Sequence, residues 1–230
     1  MYFRHSDDIW RDFPQLVAGV LGARGLPGGV AVDPRVREHA AAAAARLRAR
    51  PEGELPEIQA WRRAFGALGL KPTQYRCASE SLLRRLRKEG TLPRVNPLVD
   101  LCNAVSAAFA VPVAVFDLAR ISEFLEVRYA TGEEAYEAFS GETESPRPGE
   151  VVFADAAGRA HARRWTNRQS ASSAVRESSA DVLVVAEGLH ATAPADVGAL
   201  VTTLAADLEA LWGVRPATAI LSAAAPRFEL

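Results

Sequence analysis

The run from Arg76 to Asp117, RCASESLLRRLRKEGTLPRVNPLVDLCNAVSAAFAVPVAVFD, restricts the fold more than any other stretch. Leu82, Leu83 and Leu86 give a basic helix its apolar stripe, and Ser79 is its expected cap. Gly90 ends this helix and Pro93 prevents its continuation. Asn96-Pro97 then opens a second helix, on which Leu98, Leu101, Cys102, Val105 and Phe109 follow helical spacing to its end near Phe109. Asp100 and Asn103, three apart, share another part of its surface. A short strand carries the chain to Asp117. The second helix offers small polar groups (Asp100, Cys102, Asn103, Ser106) that can line a pocket, beside a cationic neighbour suited to a phosphate-bearing ligand.

The remaining elements mix types without a regular βαβ alternation. An apolar strand over Gln15–Val20 precedes a glycine-rich loop, and Asp33-Pro34 opens an alanine-rich helix to about Arg50. Trp61, Phe65 and Leu68 mark one face of a helix closed by Gly69. From Pro112 the character becomes β: VPVAVFD, FLEVRYA, Val151–Asp155, a hairpin at Ala157-Gly158, a strand carrying HARRWTNRQS, and the buried DVLVVAEGL. Val197, Leu200, Val201, Leu204, Leu208, Leu211 and Trp212 define the last helix, Gly213 ends it, and ATAILSA is a final strand. The class is α+β: a mixed sheet flanked by helices, in a single domain spanning 1–230.

Several function classes drop out early. A net charge of −1 over 230 residues places any nucleic-acid contact in local clusters. Two cysteines, Cys77 and Cys102, exclude a disulfide framework and a multi-cysteine zinc site, which fits a cytoplasmic protein. The N-terminus is charged where a signal peptide needs an apolar core, and no run is long enough to span a membrane. No GxxxxGK[ST] loop, GxGxxG fingerprint or GxSxG elbow is present, and the four histidines are scattered. No metal and no cofactor is expected.

Three features remain, each with two readings. Arg76, Arg84, Arg85, Arg87, Lys88 and Arg94 cluster within 19 residues; they are either phosphate contacts or a solvated helix face. Arg163-Arg164-Trp165-Thr166-Asn167-Arg168-Gln169, read as a strand, puts Arg163, Trp165 and Asn167 on one face. It is either a donor-rich wall for a polar ligand or a core tryptophan under snorkelling arginines. Glu187 ends an apolar strand; it is either a pocket carboxylate or a solvated edge residue.

With those residues in view, the chain resembles the B3/B4 editing module of the bacterial phenylalanyl-tRNA synthetase β subunit, in the form of the stand-alone proteins built around it. The resemblance is strongest in LPRVNPLVDLCNAVSAAFAVPVAVFDLARI, where Asn96, Val99-Asp100, Asn103, Pro112, Phe116-Asp117 and Ile121 match in order. VRYATGEEAYEAFSGE and VLVVAE match more weakly. The similarity covers roughly residues 75–189, leaving 1–74 and 190–230 as elaborations. It implies hydrolysis of the ester joining a wrong amino acid to tRNA. Asn103 then takes the place of a pocket asparagine and Glu187 that of a glutamate contacting the misacylated side chain, with Cys102 where threonine is usual. Two departures stand out: Ala114 occupies a position that usually carries histidine, and RRWTNRQ replaces a glycine-rich turn.

The expectation that follows is a tRNA-binding protein that deacylates misacylated tRNA in trans and is not a complete tRNA ligase. Asn103, Glu187, Ala114, Cys102 and Asn96 would form its pocket. Arg164, Trp165, Asn167, Arg168 and Gln169 would sit at the mouth, with Arg76, Arg84, Arg85, Arg87 and Lys88 on the tRNA. The alternatives are a non-catalytic tRNA or aminoacyl-tRNA binding module and, more distantly, a binder of amino-acid-like small molecules.

Overall fold

In the computed structural model, which describes residues 1–230, the chain forms β1 (Tyr2–His5), α1 (Asp7–Asp12), β2 (Val17–Ala23), α2 (Asp33–Ala49), α3 (Pro56–Ala67), α4 (Ala78–Glu89) and α5 (Pro97–Phe109). There follow β3 (Val113–Asp117), β4 (Phe124–Tyr129), β5 (Tyr136–Glu137), β6 (Thr143–Glu144), β7 (Val151–Asp155), β8 (Ala160–Arg163), β9 (Arg168–Gln169) and β10 (Val182–Gly188). Finally come α6 (Ala193–Trp212), β11 (Ala217–Leu221) and β12 (Arg227–Glu229). The class is α+β.

The elements build two principal sheets. One has four antiparallel strands in the order β11-β2-β10-β3. The other has six, β12-β1-β4-β7-β8-β9, with only β1 and β4 parallel. β5 and β6 form a separate two-stranded ribbon. All seven residues of β10 are buried, as an unbroken apolar run flanked by strands on both sides requires. The sheets meet through aromatic rings: Phe116 of β3 lies 5.3 Å from Phe153 of β7, which stacks at 6.1 Å on Phe3 of β1. No helix is long and apolar enough to cross a membrane.

α6 packs against β2 and β10 through Val197, Leu200 and Val201, and the closeness of the approach depends on glycine. A Cβ on Gly19 of β2 would stand 2.4 Å from Val201 Cγ2 and 2.7 Å from Val197 Cγ1. The predicted strand over Gln15–Val20 is shifted in the structure, and it continues through Gly22, which pairs with Leu183 and Ala217. Asn96 caps α5 as expected, accepting from the Leu98 N–H at 3.0 Å. Ser79 does not cap α4. It is buried inside the helix, and the free Ala78 N–H donates instead to the Thr166 carbonyl at 2.9 Å. That bond ties the start of α4 to the turn between β8 and β9.

Gly19→Ala is expected to destabilise the protein by about 1–3 kcal/mol through overpacking against α6. Gly66, exposed in α3 with open space around it, gives the opposite sign, and Gly66→Ala should stabilise by about 0.5–1 kcal/mol. Urea denaturation of the two variants measures both.

Candidate functional site

Glu187 ends the buried central strand, and only 2% of it is exposed. Its Oε1 accepts from His5 Nε2 at 2.7 Å and from Trp165 Nε1 at 2.9 Å. An indole nitrogen can only donate, so this oxygen is an acceptor, and His5 meets it as a donor in the tautomer that carries the proton on Nε2. His5 comes from β1 and Trp165 from the turn after β8, both in the six-stranded sheet, while Glu187 belongs to the four-stranded one. The carboxylate therefore joins the sheets, and it leaves Oε2 as the oxygen free for a ligand. Sequence reasoning missed His5, because nothing near position 5 signals a partner 182 residues away.

The residues from Arg163 to Gln169 do not form one strand. β8 ends at Arg163, residues 164–167 turn, and β9 resumes at Arg168, with Arg163 opposite Arg168. Arg164 and Trp165 take positive φ values of 48° and 56°, which breaks the predicted alternation of faces. The turn drops the Trp165 ring into the core, where Phe13 (4.8 Å) and Trp61 (4.9 Å) meet it edge-on. The departure is sterically costly for a bulky residue, and the buried indole with its bond to Glu187 offsets it.

A cavity of ≈ 70 Å³ opens beside Glu187. Its walls combine Ala114 and Val113 of β3, Phe153 of β7, Trp165 to Gln169 of the turn and β9, and Val185 of β10. Ala114, Glu187 and the predicted mouth residues Trp165, Asn167, Arg168 and Gln169 thus converge. Asn167 donates from Nδ2 to the Arg76 carbonyl at 2.7 Å, and Gln169 from Nε2 to the Val115 carbonyl at 2.5 Å, which orients both amides. Thr166 lines the same cavity, although its hydroxyl is turned away from solvent and has no protein partner.

The other expected pocket residues lie elsewhere. Asn103 is half-buried on α5 and Cys102 is buried there; neither lines the cavity. Asn96 is committed to its capping bond and borders a separate groove with Gly28 and Arg176. Burial pushes the Cys102 thiol up to about 12 and the Cys77 thiol up to about 11, so neither is a nucleophile at neutral pH.

The cationic clusters are largely neutralised within the protein. Arg87 makes two bonds to Glu52 (2.7 and 3.0 Å), Arg84 lies 3.9 Å from the same carboxylate, and Arg85 pairs with Glu89 at 2.8 Å. Arg76 lies 3.5 Å from Glu80 and donates to the Thr73 carbonyl, and Arg94 pairs with Asp33 and Asp100. Lys88 alone of this group is exposed without an ion pair. In the second cluster Arg163 is buried between Glu150 and Glu144, and Arg168 pairs with Glu144 at 3.1 Å. Arg164 lies over the Tyr75 ring at 4.7 Å.

The fold also gathers groups that the sequence scattered. Glu57, His190 and Asp196 bring one metal-ligating atom each within 4.8 Å of the others, outside the cavity; Arg46 holds one oxygen of Glu57 at 2.6 Å and His190 bonds Asp196 at 2.9 Å. Glu134 fixes the base of the β5–β6 ribbon by accepting from the Thr131 and Gly132 N–H groups and from Arg128. Burial opposes ionisation there, but these donors outweigh it and hold the carboxyl at about 2, below its ordinary 4.5.

His5→Ala removes one of the two donors to Glu187 and should cost about 1–3 kcal/mol in urea unfolding. Both cysteines should resist a thiol-specific reagent at pH 8 in the native state and react in urea. A depressed folded pKa contributes stability above the unfolded value that is lost on acidification, so Glu134 should add to stability loss between about pH 4.5 and pH 2. Glu134→Gln should flatten that part of the stability curve and lower stability at pH 7.

Residues 60–197, more than half of the chain, match the B3/4 domain family. A stretch of 74 residues is 36% identical to the phenylalanine–tRNA ligase β subunit of Cereibacter sphaeroides, covering 32% of this chain and 9% of that protein. An N-terminal fragment of the phenylalanyl-tRNA synthetase β subunit from Pyrococcus horikoshii has been solved. It aligns over 93% of this chain and 49% of its own, at 10% identity and a TM-score of 0.47. The chain thus spans less than two thirds of either relative. It belongs to the B3/4 domain family.

Proposed function

We propose that this protein acts on tRNA in the cytoplasm, hydrolysing the ester that joins a mismatched amino acid to the 3′ end. The observation that carries this reading is the convergence of Glu187, Ala114 and residues 165–169 on one small cavity, from separate strands and a turn. An aminoacyl ester is already activated, so the protein needs to place it, admit a water molecule and stabilise the developing oxyanion. Glu187 Oε2 is an acceptor for a donor on the amino acid, either its ammonium or a polar side chain. Water adds to the ester carbonyl, the oxyanion forms, and the ribose oxygen leaves as the hydroxyl. The side-chain amides of Asn167 and Gln169 are the donors for that oxyanion. Each amide nitrogen of Asn167 and Gln169 spends one hydrogen on the backbone and retains a second. Ala114 leaves room where an imidazole would stand, so proton handling passes to water.

The internal pairing of the basic clusters favours a second reading, a pocket for an amino-acid-like small molecule without RNA. Deacylation of a panel of mischarged tRNAs separates the two, together with binding at rising salt. The first reading predicts turnover of at least one mischarged tRNA, with Glu187→Ala reducing it about 10²-fold or more. Absence of turnover across the panel, with salt-independent binding of a free amino acid, would establish the second.

A further inference from the structure

Phe139 is 73% exposed, at the tip of the β5–β6 ribbon. Isolated apolar residues on a surface are ordinary, and exposure alone assigns nothing. The backbone that carries this residue, however, is held by hydrogen bonds. The tip is closed by the Ala138 N–H to the Glu142 carbonyl at 2.8 Å and the Gly141 N–H to the Ala138 carbonyl at 2.9 Å, with Gly141 at φ 86°. The Glu134 bonds fix its base.

Between Phe139 and β9 runs an open groove of ≈ 380 Å³, walled by Tyr136, Ala138, Phe139, Ser140, Arg168 and Gln169. Arg168 and Gln169 also line the cavity beside Glu187, so groove and cavity share a wall. The Arg168 guanidinium is held in place, 5.2 Å from the Tyr136 ring and bonded through both terminal nitrogens to Glu144 at 3.1 and 3.2 Å. An exposed phenyl ring and a held guanidinium lining one groove match a planar, π-bearing ligand. Unpaired nucleobases are recognised in this way, by stacking on aromatic rings and on arginine planes.

We propose that Phe139 is a stacking shelf for an unpaired nucleobase, the 3′-terminal base of the RNA whose aminoacyl group enters the Glu187 cavity. The inference rests on the functional reading above and adds the residue that holds the base. Stacking also supplies affinity that the neutralised arginines do not, so the base contributes more than the phosphates.

The test uses the full chain and a fluorescently labelled CCA trinucleotide, alongside the same trinucleotide with an abasic 3′ residue. The wild type should bind CCA roughly ten- to a hundredfold more tightly than the abasic probe, within the range of one base–aromatic stack. Phe139→Ala should erase that difference, and Phe139→Trp should restore it. Equal binding of both probes by the wild type, or unchanged CCA binding by Phe139→Ala, overturns the shelf. Tight binding of an apolar peptide at Phe139 with no preference for CCA overturns it in favour of a protein partner. Turnover of mischarged tRNA, measured separately, tests the hydrolytic reading. A wild type that turns over while Phe139→Ala is indistinguishable from it refutes the shelf and leaves the hydrolase. Phe139-dependent CCA binding without turnover does the reverse.

Discussion

A buried carboxylate holds this molecule's two sheets in register with each other. Glu187 sits on the central strand of one sheet, and its two donors, His5 and Trp165, come from the other. Burying a carboxylate is costly unless hydrogen bonds replace its hydration, so each donor is worth more than an ordinary surface contact. The geometry has consequences in both directions. Towards the core, it draws Trp165 inward between Phe13 and Trp61 and forces Arg164 and Trp165 into a left-handed turn. Towards solvent, that same turn projects Thr166, Asn167, Arg168 and Gln169 around the cavity. The wall of the site is thus shaped by the bond that joins the sheets.

Charge plays a different part from the one its density suggests. Glu52, Glu80, Glu89, Glu144 and Glu150 neutralise most of the arginines in both basic clusters. Arg85 and Glu89 pair at the surface, where such pairs contribute little stability, whereas Arg87 compensates the buried Glu52. Arg163, buried between two carboxylates, is structural, and its loss would strand Glu150 in the interior. The outcome is a cavity whose polar groups are positioned by internal partners, with few hydrogen-bonding atoms left free.

How much of this was legible in the sequence depended on the range of the interactions involved. The cap at Asn96, the stripe of α6 and the buried run of β10 are set by neighbours within a few residues, and they stand where the pattern puts them. Glu187 and Ala114 were legible as pocket residues because a strand end and a family resemblance marked them. The turn at 164–167 was not, since a tryptophan with positive φ contradicts local preference and only long-range packing selects it. Its one available signal was the glycine-rich turn that the resemblance placed there. His5 carried no signal at all. The pairings of Arg87 with Glu52 and of Arg163 with Glu150 were equally hidden, 35 and 13 positions apart, whereas Arg76–Glu80 and Arg85–Glu89 are pairs one helical turn apart. Asn103 shows the converse: a matched motif position whose side chain lies outside the cavity.

On the proposed function, the free oxygen of Glu187 faces the aminoacyl group of a bound tRNA end. A crystal structure of the protein with a non-hydrolysable 3′-aminoacylamino-adenosine tests it directly. The amino-acid moiety should lie inside the cavity, with a donor within hydrogen-bond distance of Glu187 Oε2 and the bonds from His5 and Trp165 to Oε1 intact. An analogue bound in another groove, or held in this cavity with Glu187 out of reach, would contradict it.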